Sequence, residues 1–186
     1  MKARCCIAAK ATIEALRDAA LKAIDAVEAA EDKMHDCADF DAVLDYCRPL
    51  TEEIGGEEGS DAWYFWTVGE FTVMGDLGLL LHQNTDAIAK MSEILGTGVY
   101  CCAIDADFEF AHFSAYLEGE QRRLLVLEDD EVVMEGLPVE AERGRPTVDF
   151  SVEEGERMWT FYGLPTFEFD PEGGPFKGQH LKRDYD

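Results

Sequence analysis

The residues in this chain whose types and spacing suit chemistry are few, and the sharpest are carboxylates. Asp105-Ala106-Asp107 is a DxD, a pattern that can ligate a divalent cation beside a nucleotide. It sits in a three-residue turn between two apolar runs with no third carboxylate fixed nearby in sequence. Asp is common in such turns because its side chain bonds its own backbone, so no metal is expected. Cys102 precedes this turn and His112 follows it, which allows a Cys102/His112 nucleophile–base pair across a hairpin, though without a flanking oxyanion-forming loop. His35 and Cys37 are ligand types that lack a partner pair.

The remaining constellations are weaker. Six cysteines include two vicinal pairs and no CxxC, so neither a zinc knuckle nor a thioredoxin-type site is offered. Cys101 and Cys102 lie in an apolar run and read as buried small side chains, and free thiols argue for a reducing compartment. The glycines at 55, 56 and 59 enclose Glu57 and Glu58 and precede no Lys, so that loop repels phosphate. Gly96-Thr97-Gly98 ends a helix and opens a strand, the reverse of a dinucleotide fingerprint. Trp63-Tyr64-Phe65-Trp66 has no basic neighbour and reads as core, not as a base-stacking platform. No cofactor is expected.

Charge is the unusual property. Forty acidic residues against sixteen basic ones give a formal net charge of −24 over 186 residues. The excess is spread along the chain, with no acidic tail. Such a field repels nucleic acid and anionic lipid and attracts basic partners; salt adaptation would give the same composition. The basic residues ahead of Cys5-Cys6-Ile7-Ala8-Ala9 resemble the start of a signal peptide. Lys10 ends that apolar run too early for one, and no segment has the apolar length of a membrane span, so a cytoplasmic protein is expected.

The elements that must position these residues divide at a linker. Ile13, Leu16, Ala20, Ile24, Val27 and Met34 form one apolar stripe, predicting a helix from about Ala8 to Met34. A second helix is expected from Asp39 to about Cys47, stopped by Pro49, so residues 1–50 read as a helical hairpin. Residues 51–61 (TEEIGGEEGSD) read as an acidic, Gly-rich linker. Residues 62–186 read as an α+β domain, with a strand pair at 63–68 and 71–74 and a helix capped near Asn84. Strands follow at 99–104, 108–117 and 122–127, with an edge strand at 132–135. Ser151 starts a further helix that Gly163 and Pro165 end, and the tail from Phe167 is expected to lie irregularly over the domain. The expected fold is an antiparallel sheet of about five strands with helices on one face, preceded by the helical hairpin.

On layout, acidity and the lack of a catalytic signature, residues 63–139 resemble small acidic bacterial immunity-type proteins. The resemblance implies a protein that neutralises a toxin by occluding it, with no chemistry of its own. An adaptor or structural protein, a nucleic-acid-mimicking decoy and an enzyme with an uncommon site remain open. In a meander, alternate turns emerge at opposite ends of the sheet. Asp105 and Asp107 should therefore share one end with Glu128, Asp129, Asp130 and Glu131, while Glu118 and Glu120 lie at the other. These six carboxylates are the expected contact for a basic protein partner such as a toxin.

Overall fold

The computed structural model describes residues 4–25, 27–53, 62–78 and 81–183. In chain order its elements are β1 (Arg4–Ala9), α1 (Ile13–Ala23), β2 (Val27–Ala29), β3 (His35–Cys37), α2 (Phe40–Glu53), β4 (Ala62–Val68) and β5 (Phe71–Asp76). After a 3-10 turn at Leu81–Gln83 come α3 (Thr85–Leu95), β6 (Val99–Asp105), β7 (Phe110–Leu117), β8 (Glu120–Glu128), β9 (Glu131–Gly136), α4 (Val152–Phe161) and β10 (Phe176–Arg183). The strands form one sheet in the order β2-β10-β4-β5-β1-β6-β7-β8-β9, with β3 also on β10. Every described pairing is antiparallel.

This overturns the expected five-stranded sheet behind a helical hairpin. Arg4–Ala9 is a strand at the centre of the sheet, hydrogen-bonded to β5 on one side and β6 on the other. All six of its residues are buried, so it shows no alternation, and its five-residue apolar run reads equally well as the start of a helix. The helix that follows ends at Ala23, with Ile24 already extended, and Val27 belongs to a strand. Pro49 does not stop α2, which runs on to Glu53. The tail is not an irregular cover, because Phe176–Arg183 is paired on both its sides. Residues 54–61 of the expected linker lie outside the described residues, and elements on either side of it share the one sheet.

Helices cover both faces, not one. Strand residues alternate between two buried clusters, as the two-residue period of a strand requires. Cys5, Ile7, Trp63, Phe65, Met74, Val99 and Cys101 face α1 and α3, which contribute Leu16, Ala19, Ala20, Ile88 and Met91. Cys6, Ala8, Tyr64, Trp66, Val73, Cys102 and Phe113 face α2 and α4, which contribute Val43, Cys47, Met158 and Trp159. All four described α-helices start where a side-chain oxygen meets an orphan backbone N–H: Thr12 accepts from Ala15, Asp39 from Ala42, Asn84 from Ala87 and Ser151 from Glu154. Gly96 takes the left-handed conformation that closes α3.

Two side chains show how closely the strands and helices fit. A Cβ on Gly75 would lie 2.0 Å from the Tyr64 ring, and one on Gly178 would lie 2.7 Å from that of Tyr46. Both glycines therefore let an aromatic ring lie flat across the backbone of a neighbouring strand.

Candidate functional site

The acidic turns that the meander brings together open onto a cavity of about 350 Å³ at one end of the sheet. Three of the six expected contact residues, Asp105, Glu128 and Asp129, line it. Asp107, Asp130 and Glu131 are exposed beside it and are not among its lining residues. Glu118 and Glu120 lie in and after the β7–β8 turn, at the opposite end of those strands.

Each wall has a local cause. Asp105 pairs across the hairpin with Phe110, and its carboxylate accepts a hydrogen bond from the Asp107 N–H at 3.1 Å. That bond is the structural use of the DxD, an Asx turn that fixes the loop. It leaves Phe108 at the tip, 81% exposed, at the mouth of the cavity. The β8–β9 turn holds Asp129 at φ 51° and Asp130 at φ 62°. Two consecutive left-handed residues are the geometry of a tight hairpin turn that matches strand twist, usually made by Asn-Gly.

The deeper walls come from residues that carried no signal in the sequence reading. Arg4, at the start of β1, is nearly buried and closes one side. It donates to the Phe169 carbonyl at 2.5 Å and to the Asp170 carboxylate, and its guanidinium lies 5.6 Å from the centre of the Phe40 ring. His82 stands on the 3-10 turn that Asp76 holds, the Asp76 carboxylate accepting from Gly78 N at 3.1 Å and Leu81 N at 3.0 Å. The His82 ring lies 5.0 Å from Phe110 and 5.5 Å from His112. His112 sits behind the cavity, hydrogen-bonded to Ser114 Oγ at 2.9 Å, and burial pushes its pKa down to about 3. A neutral His112 follows from that shift at any ordinary pH.

The Cys102/His112 pair does not form. Cys102 is directly opposite Phe113, and His112 opposite Ala103, so the two side chains project from opposite faces of the sheet. Burial raises the Cys102 thiol well above its ordinary pKa, the reverse of what a nucleophile needs. Among the described residues, no group of three or more His, Cys, Asp or Glu side chains is placed to hold a metal ion. No described helix is long and apolar enough to cross a membrane.

An exposed Phe flanked by Asp107 and Glu109 was the readable anomaly here, since an apolar tip in an acidic turn has no packing role. Arg4 and His82 gave none: their place depends on the central position of β1 and on a turn set by Asp76. Searches of protein-family models, of curated proteins and of solved structures found no match for this chain.

Proposed function

We infer that the chain is a non-enzymatic binding module for a basic protein, of the type that neutralises its partner by occlusion, and that a Lys or Arg side chain of the partner enters this cavity. The observation that supports the reading is the combination at its mouth: carboxylates from two separate turns beside an exposed aromatic ring. A cation is attracted both by the carboxylates and by the face of Phe108, and the net charge of −24 steers it there. Arg4, its charge matched by Asp170 on the far side, bounds the space and leaves the acidic rim as the place for a second cation.

Titration with N-acetyl-arginine amide, followed by backbone amide shifts, tests this against N-acetyl-citrulline amide, its uncharged counterpart. Shifts should concentrate at 103–110 and 128–129 for the arginine compound alone. The variant Asp129→Asn/Asp130→Gly should weaken them several-fold, because one lining carboxylate and its neighbour are gone. The same variant should gain about 1 kcal/mol in stability, since Asn-Gly suits the left-handed turn better than Asp-Asp. Equal responses to the two compounds would sink the reading.

A further inference from the structure

The last strand of the sheet, β9, has no described neighbour on its outer side. All six of its residues are exposed, among them Val132, Val133 and Met134 at 38%, 43% and 42%. Consecutive apolar residues on an unpaired edge form a template for another extended chain, because alternate N–H and C=O groups point outward. Edge strands in most proteins are short, twisted away or covered. This one is held in place from within.

The Arg123 guanidinium does the holding. Its Nε and one terminal nitrogen grip the buried Glu142 carboxylate at 3.0 and 2.7 Å, and the other terminal nitrogen donates to the carbonyls of Glu135 and Gly136, both at 3.2 Å. Glu142 also accepts from Val139 N at 3.0 Å, tying down the chain that leaves the strand. Gly136 stands at φ 80°, where a Cβ would lie 2.2 Å from the Arg122 carbonyl, so the strand ends at a defined point. An edge ordered in advance loses little entropy when it pairs.

The charges on β9 select the occupant. Glu131, Val133 and Glu135 share one face; Val132 and Met134 share the other, continuing the apolar row of Leu127 and Leu125 across the register. A second copy pairing antiparallel about Val133 would set Glu131 against Glu135 twice, between chains that each carry −24. Glu135 already accepts from the neutral Gln121 amide at 3.3 Å and makes no ion pair with a cation among the described residues. We propose that β9 is a docking strand that takes an extended segment of the partner with Lys or Arg at two positions four apart and apolar residues at the first and third of the three places between them. Each cation then faces one of the glutamates, and the two apolar side chains meet Val132 and Met134. The inference rests on the reading that the chain binds a basic protein; it places the main-chain part of that contact at β9, next to the cavity that takes the side chain.

The full chain is to be titrated at low salt with the peptide acetyl-Ser-Lys-Val-Thr-Val-Lys-Ser-amide and with its isomer acetyl-Ser-Lys-Lys-Val-Val-Thr-Ser-amide. The alternating peptide should bind about tenfold tighter than the isomer of equal charge and should slow hydrogen exchange at outward-facing amides of β9. Glu131→Lys/Glu135→Lys should weaken it by at least about tenfold and acquire binding of acetyl-Ser-Glu-Val-Thr-Val-Glu-Ser-amide, with unchanged melting because both positions are exposed. Equal binding of the two isomers without protection in β9 overturns the docking strand. If that binding is also lost in Asp129→Asn/Asp130→Gly, the cavity reading survives alone. Binding of neither peptide, together with no arginine-specific shifts at the cavity, overturns both. Concentration-dependent dimerisation through β9 assigns the edge to a second copy and likewise overturns the proposal.

Discussion

At the β10 edge, two strands of three residues each lie end to end and are stitched down, whereas the β9 edge presents six exposed residues with no described neighbour. The link between the short strands is fastened from below. Arg17 of α1 donates to the carbonyls of Glu31 and Asp32 and to the Gln179 side chain, which in turn donates to Glu31. The Tyr46 ring from α2 lies between His35 and His180, at 4.1 and 4.0 Å. Short strands and covering side chains are the usual means of closing an edge. One sheet thus has an edge built into its core and an edge left outside it.

That contrast can be broken most severely by removing β10. A chain truncated after Pro175 loses the pairings to β2, β3 and β4 and the buried Phe176, Gln179, His180 and Leu181. It should show no cooperative melt by circular dichroism. Val133→Thr on the open edge, by contrast, should stay within about 0.5 kcal/mol of the parent. A cooperative melt in the truncated chain would make the two edges equivalent.

A smaller effect sharpens the picture of how the open edge is held. Arg123→Ala leaves the Glu142 carboxylate buried without its cation and should cost about 3–5 kcal/mol in denaturant unfolding. Hydrogen exchange at β9 should rise more than at β10, because Arg123 reaches the carbonyls of Glu135 and Gly136.

The smallest difference is in pH response, since each half of the sheet holds a buried histidine, His112 on β7 and His180 on β10. The pKa of His112 is about 3 in the fold and about 6.5 in an unfolded chain. Between those values the unfolded chain binds a proton that the native one does not, so stability falls as pH drops through that window. The loss is about 1.4 kcal/mol per pH unit, or about 2 kcal/mol from pH 6.5 to 5. His112→Asn should remove that part of the acid sensitivity. The pKa of His180 is also lowered by burial, but its ring N–H donates to the Tyr46 carbonyl at 3.1 Å, which opposes the shift. His180→Asn should therefore flatten the pH–stability curve less.

Legibility in the sequence followed the same division. The strands from β6 to β9 and the turns between them could be placed because apolar runs alternate there with acidic turns. Their parity put Asp105, Glu128 and Asp129 at one end of the sheet. The same parity, applied one residue out of step, produced the Cys102/His112 pair: residues that look adjacent across a hairpin face opposite ways unless they are directly opposed. In the other half only the β4–β5 pair was legible, at 63–68 and 71–74; β1, β2, β3 and β10 were not. β1 is buried on both faces and shows no period, while β10 reads FKGQHLKR, a polar string with little strand propensity. Its burial depends on partners that only the assembled fold supplies. Gln179 is satisfied by Glu31 and Arg17, His180 by Tyr46, and Gly178 gives way to the Tyr46 ring.

The position of the two terminal strands also orders events during synthesis. β1 emerges first, yet both of its neighbours, β5 and β6, are encoded more than sixty residues later, and β10 arrives last of all to cover β4. Until it does, the strand carrying Trp63, Tyr64, Phe65 and Trp66 has one side open. Pairings so distant along the chain form slowly, so a nascent chain exposes its most aromatic strand until residues 176–183 have left the ribosome. In that interval the side of β4 that β10 will cover is open to wrong pairing.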